Sequence, residues 1–211
     1  MSNCEKLFTG YSLDCAPPQR KFWQRAVLLN KSDVAEYLIA RPTVSPLGVY
    51  SCAHHIRFKL TEGATGFEVK NLDTAFNVFG TSQRSEKNDT VQHSHSIQFA
   101  LMGAEAEIKC FLGRLEQAFY FAALMYTDGT VEIYGFENGL KPDNYTIDLQ
   151  NTAGGTIIKL QSPSDEQEQD LPYLYRSMEA TPEEDFDNLF AGITVISGGD
   201  FNNDFNNDFF I

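Results

Sequence analysis

An Asp-Gly pair at positions 128–129 constrains this chain more than any other feature. It sits inside FAALMYTDGTVEIYGF (121–136), where a largely apolar run and a β-branched, aromatic run flank a polar centre. A tight turn between antiparallel strands needs residues that tolerate positive φ, and Asp-Gly meets that need, so the segment reads as a hairpin. The preceding stretch, AEAEIKCFLGRLEQAF (104–119), reads as a helix. Its Ile108, Phe111, Leu112, Leu115, Ala118 and Phe119 fall on one stripe at helical spacing. Glu105 and Glu107 lie in the first turn, where the helix dipole favours negative charge. The stretch is long enough for roughly 20–24 Å of helix, one face of which packs on a sheet. YTIDL (145–149) and GGTIIKL (154–160) follow as short β segments. The block 104–162 carries no constellation of catalytic residues, which points away from an enzyme and towards assembly.

The rest of the chain is also rich in β signals. WQRAVLLN (23–30) reads as a first strand, and DVAEYLIARP (33–42) as a short helix or an extended piece. In VYSCAHHIRFKL (49–60), Ile56, Phe58 and Leu60 share one face and His55, Arg57 and Lys59 the other. FEVKNLDTAFNVFG (67–80) is a strand region, and TSQRSEKNDT (81–90) a polar loop. VQHSHSIQFALM (91–102) alternates cleanly, with Val91, His93, His95, Ile97, Phe99 and Leu101 on one face. The expected fold class is mainly β with one flanking helix (α+β). The expected division is an N-terminal arm (1–22), a β-sandwich domain (23–162) and an acidic, Phe/Asn-rich C-terminal extension (163–211). Within the extension, SPSDEQEQD (162–170) reads as a solvated linker and Thr181-Pro182 as the start of a helical turn. ITVIS (193–197) reads as a last strand, ahead of an Asp-Phe-Asn-Asn repeat of period four. Such a repeat cannot build a core of its own; its aromatic rings suit docking on a neighbour, and a disordered solubilising tail is the alternative.

The net charge of −13 is concentrated in that extension. Residues 163–211 hold twelve Asp/Glu and one Arg, whereas residues 1–162 are nearly balanced. Neither half has the clustered Lys and Arg of a nucleic-acid gripper. Cys4, Cys15, Cys52 and Cys110 form no CxxC pair, and Cys110 reads as a buried helical thiol. The first residues, MSNCEKLFTGY, have no apolar core of a signal peptide, and no apolar run reaches membrane-spanning length. Synthesis and folding in a cytoplasm are expected.

Few residues suggest chemistry. Cys52 and His54 share a strand face, but two-residue spacing is not how a nucleophile and its base are brought together. His93 and His95 share a face and have a chelating spacing, yet the face continues as Ile97 and Phe99 and no third ligand is near in sequence. Asp165, Glu166, Glu168 and Asp170 lack the central glycine of a calcium loop. Gly154-Gly155 and Gly198-Gly199 are turns, without the Gly-Lys-Ser/Thr ending of a phosphate-binding loop. No catalytic, cofactor-binding or metal-binding residue is assigned.

Two motifs carry a resemblance. One is Gly135-Phe136-Glu137-Asn138-Gly139-Leu140 after the hairpin; the other is the closing Gly-Gly-Thr-Ile-x-x-Leu run, 154–160. In the order helix, hairpin, strand, closing strand, they resemble the tail tube (major tail) proteins of long-tailed bacteriophages. TGYSLDC (9–15) and LPYLYRS (171–177) are similar to segments of phage tail proteins, so the resemblance spans residues 9–177. The acidic Phe/Asn tail departs from that pattern. The resemblance implies a tail-tube-like β-sandwich that lends strands to a ring-closed barrel. Rings, hexameric in the family, stack head-to-tail into a hollow tube in the virion tail. DNA passes through the lumen during ejection without sequence-specific binding. It implies homo-oligomers and other tail proteins as partners, and no cofactor, metal or membrane. The near-neutral domain suits a lumen that must not retain phosphates. Candidate inter-subunit residues are Ser82, Arg84, Glu86 and Lys87 in the polar loop, and Phe201, Phe205 and Phe209 in the tail. A tail terminator, distal ring or head–tail connector of related fold is an alternative. A β-sandwich module that binds glycan or protein is another, of a different class.

Overall fold

A computed structural model describes residues 23–44, 50–51, 53–70, 79–87, 90–102, 106–147, 155–165, 167–177, 181–190 and 193–194. The protein is mainly β with a few short helices. The strands are β1 (Trp23–Asn30), β2 (Val34–Ala40), β3 (Thr43–Val44), β4 (Tyr50–Ser51), β5 (His55–Leu60), β6 (Phe67–Lys70) and β7 (Phe79–Lys87). They continue as β8 (Thr90–Met102), β9 (Tyr120–Tyr126), β10 (Val131–Tyr134), β11 (Lys141–Ile147), β12 (Gly155–Gln161), β13 (Tyr173–Tyr175) and β14 (Ile193–Thr194). The helices are α1 (Ala106–Leu115) and α2 (Pro182–Asp185), the latter running into a π-helical turn, Phe186–Phe190. A 3-10 turn, Lys31–Asp33, joins β1 to β2.

One sheet has eight strands in the order β14-β6-β1-β9-β10-β13-β5-β2; a second has four, β11-β12-β8-β7. Strands β3 and β4 form a separate pair. The centre of the large sheet is buried on both faces, which explains why its sequences do not alternate. Residues 121–125 of β9 and 26–29 of β1 are all buried. Their side chains divide between two cores. Ala26, Leu28, Ala122 and Leu124 face a core completed by Ile97 and Phe99 of β8, Ile158 and Leu160 of β12, and Leu112 and Leu115 of α1. Val27, Leu29, Phe121, Ala123 and Met125 face the other core, with Ile56 and Phe58 of β5, Tyr173 and Tyr175 of β13, and Phe186 and Phe190. The register sets small against large, Ala26 opposite Leu124 and Leu28 opposite Ala122, so each layer fills without overcrowding.

The Asp128-Gly129 hairpin forms as expected between β9 and β10. Gly129 has φ +77°, and the Asp128 carboxylate accepts the Thr130 N–H at 3.0 Å. The first strand matches WQRAVLLN, and residues 34–40 take the extended option. Ile56 and Phe58 point inward as the alternation predicts.

Four readings need correction. The reading of 81–90 as a loop fails at residues 81–87 and at Thr90, which begins β8. Residues 81–87 belong to β7, which pairs antiparallel with β8 from Phe79↔Gln98 to Lys87↔Thr90. The polar stretch is held by ladder hydrogen bonds and not by apolar burial. The helix stops at Leu115, and Ala118 and Phe119 lie beyond it, because the chain must turn there to enter β9. Phe119 is on the surface, where Lys141 Nζ sits 4.0 Å from its ring centroid. Cys110 is exposed, because the buried face of α1 is made by Leu112 and Leu115. The stretch 162–170 is not a solvated linker: Ser162 and Glu168 are 2% and 1% exposed.

The residues that follow supply β13, inserted between β10 and β5, and the Phe186 and Phe190 side chains of the second core. Thr181 begins the expected helical turn with a capping box: its hydroxyl accepts the Glu184 N–H, and the Glu184 carboxylate accepts the Thr181 N–H. The Ile193–Thr194 strand forms parallel to β6. The N-terminal arm, Cys4, Cys15, Cys52 and the Asp-Phe-Asn-Asn repeat lie outside the described residues. No sheet closes on itself among the described residues; the large one ends at β14 and at β2.

Candidate functional site: an open edge beside a carboxylate clasp

Strand β2 terminates the eight-stranded sheet and pairs only with β5 among the described residues. Its free side offers backbone donors and acceptors to another strand. A register shift between Val34 and Glu36 marks a bulge at the start, and pairing runs regularly from Glu36 to Ala40. Tyr37 and Leu38 are each 62% exposed, the largest exposures among the large apolar side chains described. The Tyr37 ring meets Phe136 edge-on with centroids 5.3 Å apart, so it also covers the rim of the second core.

Beside this edge lies a cleft of about 580 Å³, lined by Lys31, Tyr37, Ile39, Arg41, Phe136 and Gln169 among others. One wall is a reciprocal clasp between the turn after β10 and the segment before β13. The Glu168 carboxylate accepts the N–H groups of Glu137 and Asn138 at 2.8 and 3.0 Å. The Glu137 carboxylate in turn accepts the Gln169 N–H at 2.6 Å and the Tyr173 hydroxyl at 2.8 Å. Arg41 closes the clasp by pairing with Glu137 and, at 2.6 Å, with Asp170. Lys31 donates to the Glu137 carbonyl from the far side. The turn needs Gly135 at φ +69° and Gly139 at φ +90°. Its first N–H, that of Gly135, donates to His95 Nδ1 at 3.0 Å.

The electrostatics follow from burial. Glu168 is pushed up to about 7, chiefly by burial, with the Glu137 charge adding to it and the two backbone N–H groups opposing. His95 is pushed down to about 4, again chiefly by burial and then by His93. Burial also works against the Asp170 carboxylate, but bonds from Tyr173 and Arg41 outweigh it and hold Asp170 below the usual range. Glu168 has the affinity for protons of a general base and none of the access. It is 1% exposed with its oxygens on backbone donors, so its chemistry is structural.

The candidate residues from the sequence fall elsewhere. Ser82, Arg84 and Glu86 are on β7, a terminal strand of the four-stranded sheet, with Lys87 at its end. Arg84 and Glu86 are exposed and pair with each other at 3.1 Å. Ser82 stands opposite His95 in the register and is largely withdrawn from solvent. Phe201, Phe205 and Phe209 lie outside the described residues. His93 and His95 do share a face: His95 is buried and continues it into Ile97 and Phe99, while the backbone of His93 bridges to Glu168. Among the described residues no three His, Cys, Asp or Glu gather as a metal site. His54 stacks on Tyr173 at 4.9 Å, and its Nε2 is 3.0 Å from the Leu171 carbonyl.

Sequence reasoning missed Tyr37, Leu38, Arg41, Glu137 and Glu168. Only Tyr37 and Leu38 carried a signal, as apolar residues in a segment that read equally as helix or strand. No protein-family model matches the chain, and comparison with curated proteins and with solved structures gives no match either.

Proposed function

We propose that this chain is a structural subunit that assembles with copies of itself across open sheet edges, and that the product is the tail tube of a long-tailed bacteriophage. The observation that carries the assembly reading is the β2 edge, unpaired on one side among the described residues and bearing Tyr37 and Leu38 at 62% exposure each. A regular edge strand with exposed apolar side chains is what soluble monomers avoid and what assemblies use. The resemblance of residues 9–177 to tail tube proteins supports the finer reading. In it, strands of neighbouring subunits complete a barrel that one chain leaves open, rings stack head-to-tail, and DNA passes through a lumen of low positive charge. The reading assigns no reaction and no cofactor.

The test is negative-stain microscopy and light scattering on the purified full chain, with Leu38→Lys beside the wild type. Rings or tubes are expected from the wild type, and a strong shift to monomer from the variant, whose edge charge opposes pairing. Single rings without filaments point to a connector or terminator of the tail. A wild type that stays monomeric at high concentration, even with tail partners, sinks the proposal.

A further inference from the structure

We propose that the recess beside Asp185 is a binding site for an ammonium group carried on an apolar stem, a capacity separate from edge pairing. The recess holds about 340 Å³ and is lined by Phe58, Leu60, Ala64, Tyr175, Asp185 and Phe190 together with the Thr61–Gly63 turn. Its walls are aromatic. Phe58 and Phe190 stack at 5.2 Å, and the Tyr175 ring lies 5.1 Å from each. Its one deeply buried charge is Asp185, 8% exposed.

That carboxylate is incompletely matched. Its Oδ2 accepts the Tyr175 hydroxyl at 2.8 Å. Among the described residues, Oδ1 accepts no hydrogen bond and neither oxygen has a cation within ion-pair distance. Arg25 reaches the same helical segment but is committed to Glu68 at 2.5 Å and to Asp187. Lys59 also lines the recess, is exposed and makes no ion pair among the described residues. A buried carboxylate is ordinarily paired with a cation, because a neutral donor recovers only part of the lost hydration.

The recess therefore selects by chemistry. An ammonium group has donors for the Asp185 oxygen that Tyr175 leaves open, and its apolar stem packs on the half-buried Leu60 and Ala64. An anion is repelled, and a neutral apolar molecule leaves the carboxylate unmatched. A free small amine and a lysyl side chain of a second copy share this chemistry.

The experiment is an NMR titration of the full chain with n-butylammonium, read at the amides of residues 61–64, with n-butanol as the neutral control. Saturable shifts are expected for the amine. Asp185→Asn should weaken them by about 10- to 100-fold, the range for a hydrogen bond to a charged group. Ala64→Leu, which narrows the mouth without touching the carboxylate, should abolish them and keeps the test decisive should the Asn variant fail to fold. No saturable shift in the wild type, or equal response to amine and alcohol, overturns the site. Light scattering with and without the amine then separates the sources. Dissociation of assemblies assigns the occupant to a lysine of a second copy, and unchanged assemblies assign it to a free amine. A monomeric wild type that still binds the amine overturns the assembly proposal and leaves this one standing.

Discussion

At Glu168 the interior decides a protonation state, and the sign of its effect on stability follows. Its native pKa, about 7, lies above its ordinary 4.5, so the folded protein holds this proton more tightly than the unfolded chain. The stabilisation is complete below the ordinary value and is lost as pH rises through about 7. His95 acts in the opposite sense: lowered from 6.5 to about 4, it contributes stability above 6.5 that is lost as pH falls through about 4. Above 6.5 the Glu168 effect stands alone of the two. The melting temperature is expected to fall between about pH 6.5 and 8, and Glu168→Gln to flatten that slope. A slope unchanged in the variant would assign the pH dependence to other groups. Gly135 offers a second test. At φ +69°, a Cβ there meets the Leu140 side chain, whereas at Gly63, φ +78°, it meets nothing within 4 Å. Gly63→Ala is expected to cost the backbone strain alone, about 1–2 kcal/mol. Gly135→Ala adds overpacking of about 1–3 kcal/mol in a turn that the clasp cannot release. Urea denaturation of the two variants compares them directly, and equal losses would show that the Leu140 contact yields freely.

Among the elements, the short helical segment 182–190 depends on its cap. Four residues of α helix cannot sustain themselves, so the Thr181–Glu184 box and the two buried phenylalanines hold the segment together. Thr181→Ala is expected to cost about 1 kcal/mol, measurable by denaturation, with Phe186 and Phe190 each contributing roughly 1.5–3 kcal/mol by burial. A loss near zero would mean that packing alone sets the helix. This segment also shows what sequence can reveal. Thr181-Pro182 announced the start of the helix because capping chemistry is local. The Asp128-Gly129 turn was legible for the same reason. Strand β7 was not: Thr81, Ser82, Gln83, Arg84, Ser85 and Glu86 are polar on both faces, and only pairing with β8 makes them a strand. Nor was Glu168, whose partners are backbone N–H groups of residues 137 and 138, which leave no mark in composition. The edge at β2 was half legible, since Tyr37 and Leu38 were visible as apolar but their lack of cover is a property of strand order.

For the whole molecule, the division between rigid body and extension governs how assembly must be tested. An extension read as starting at 163 invites a truncation from 178 onward. Phe186 and Phe190, 0% and 1% exposed, belong to the second core, and Ile193–Thr194 pairs with β6. Removing residues 178–211 therefore strips two core side chains and an outer strand, and any loss of assembly would reflect a damaged fold. Removing only 195–211 leaves every described element in place while deleting the Asp-Phe-Asn-Asn repeat with Phe201, Phe205 and Phe209. The shorter truncation is expected to keep the wild-type melting temperature and, if the repeat docks on a neighbouring copy, to weaken assembly in light scattering by at least severalfold. The longer one is expected to melt earlier whatever its effect on assembly. Full assembly by the 195–211 deletion would confine self-association to the sheet edges, and Leu38→Lys in that background would then remove what remains.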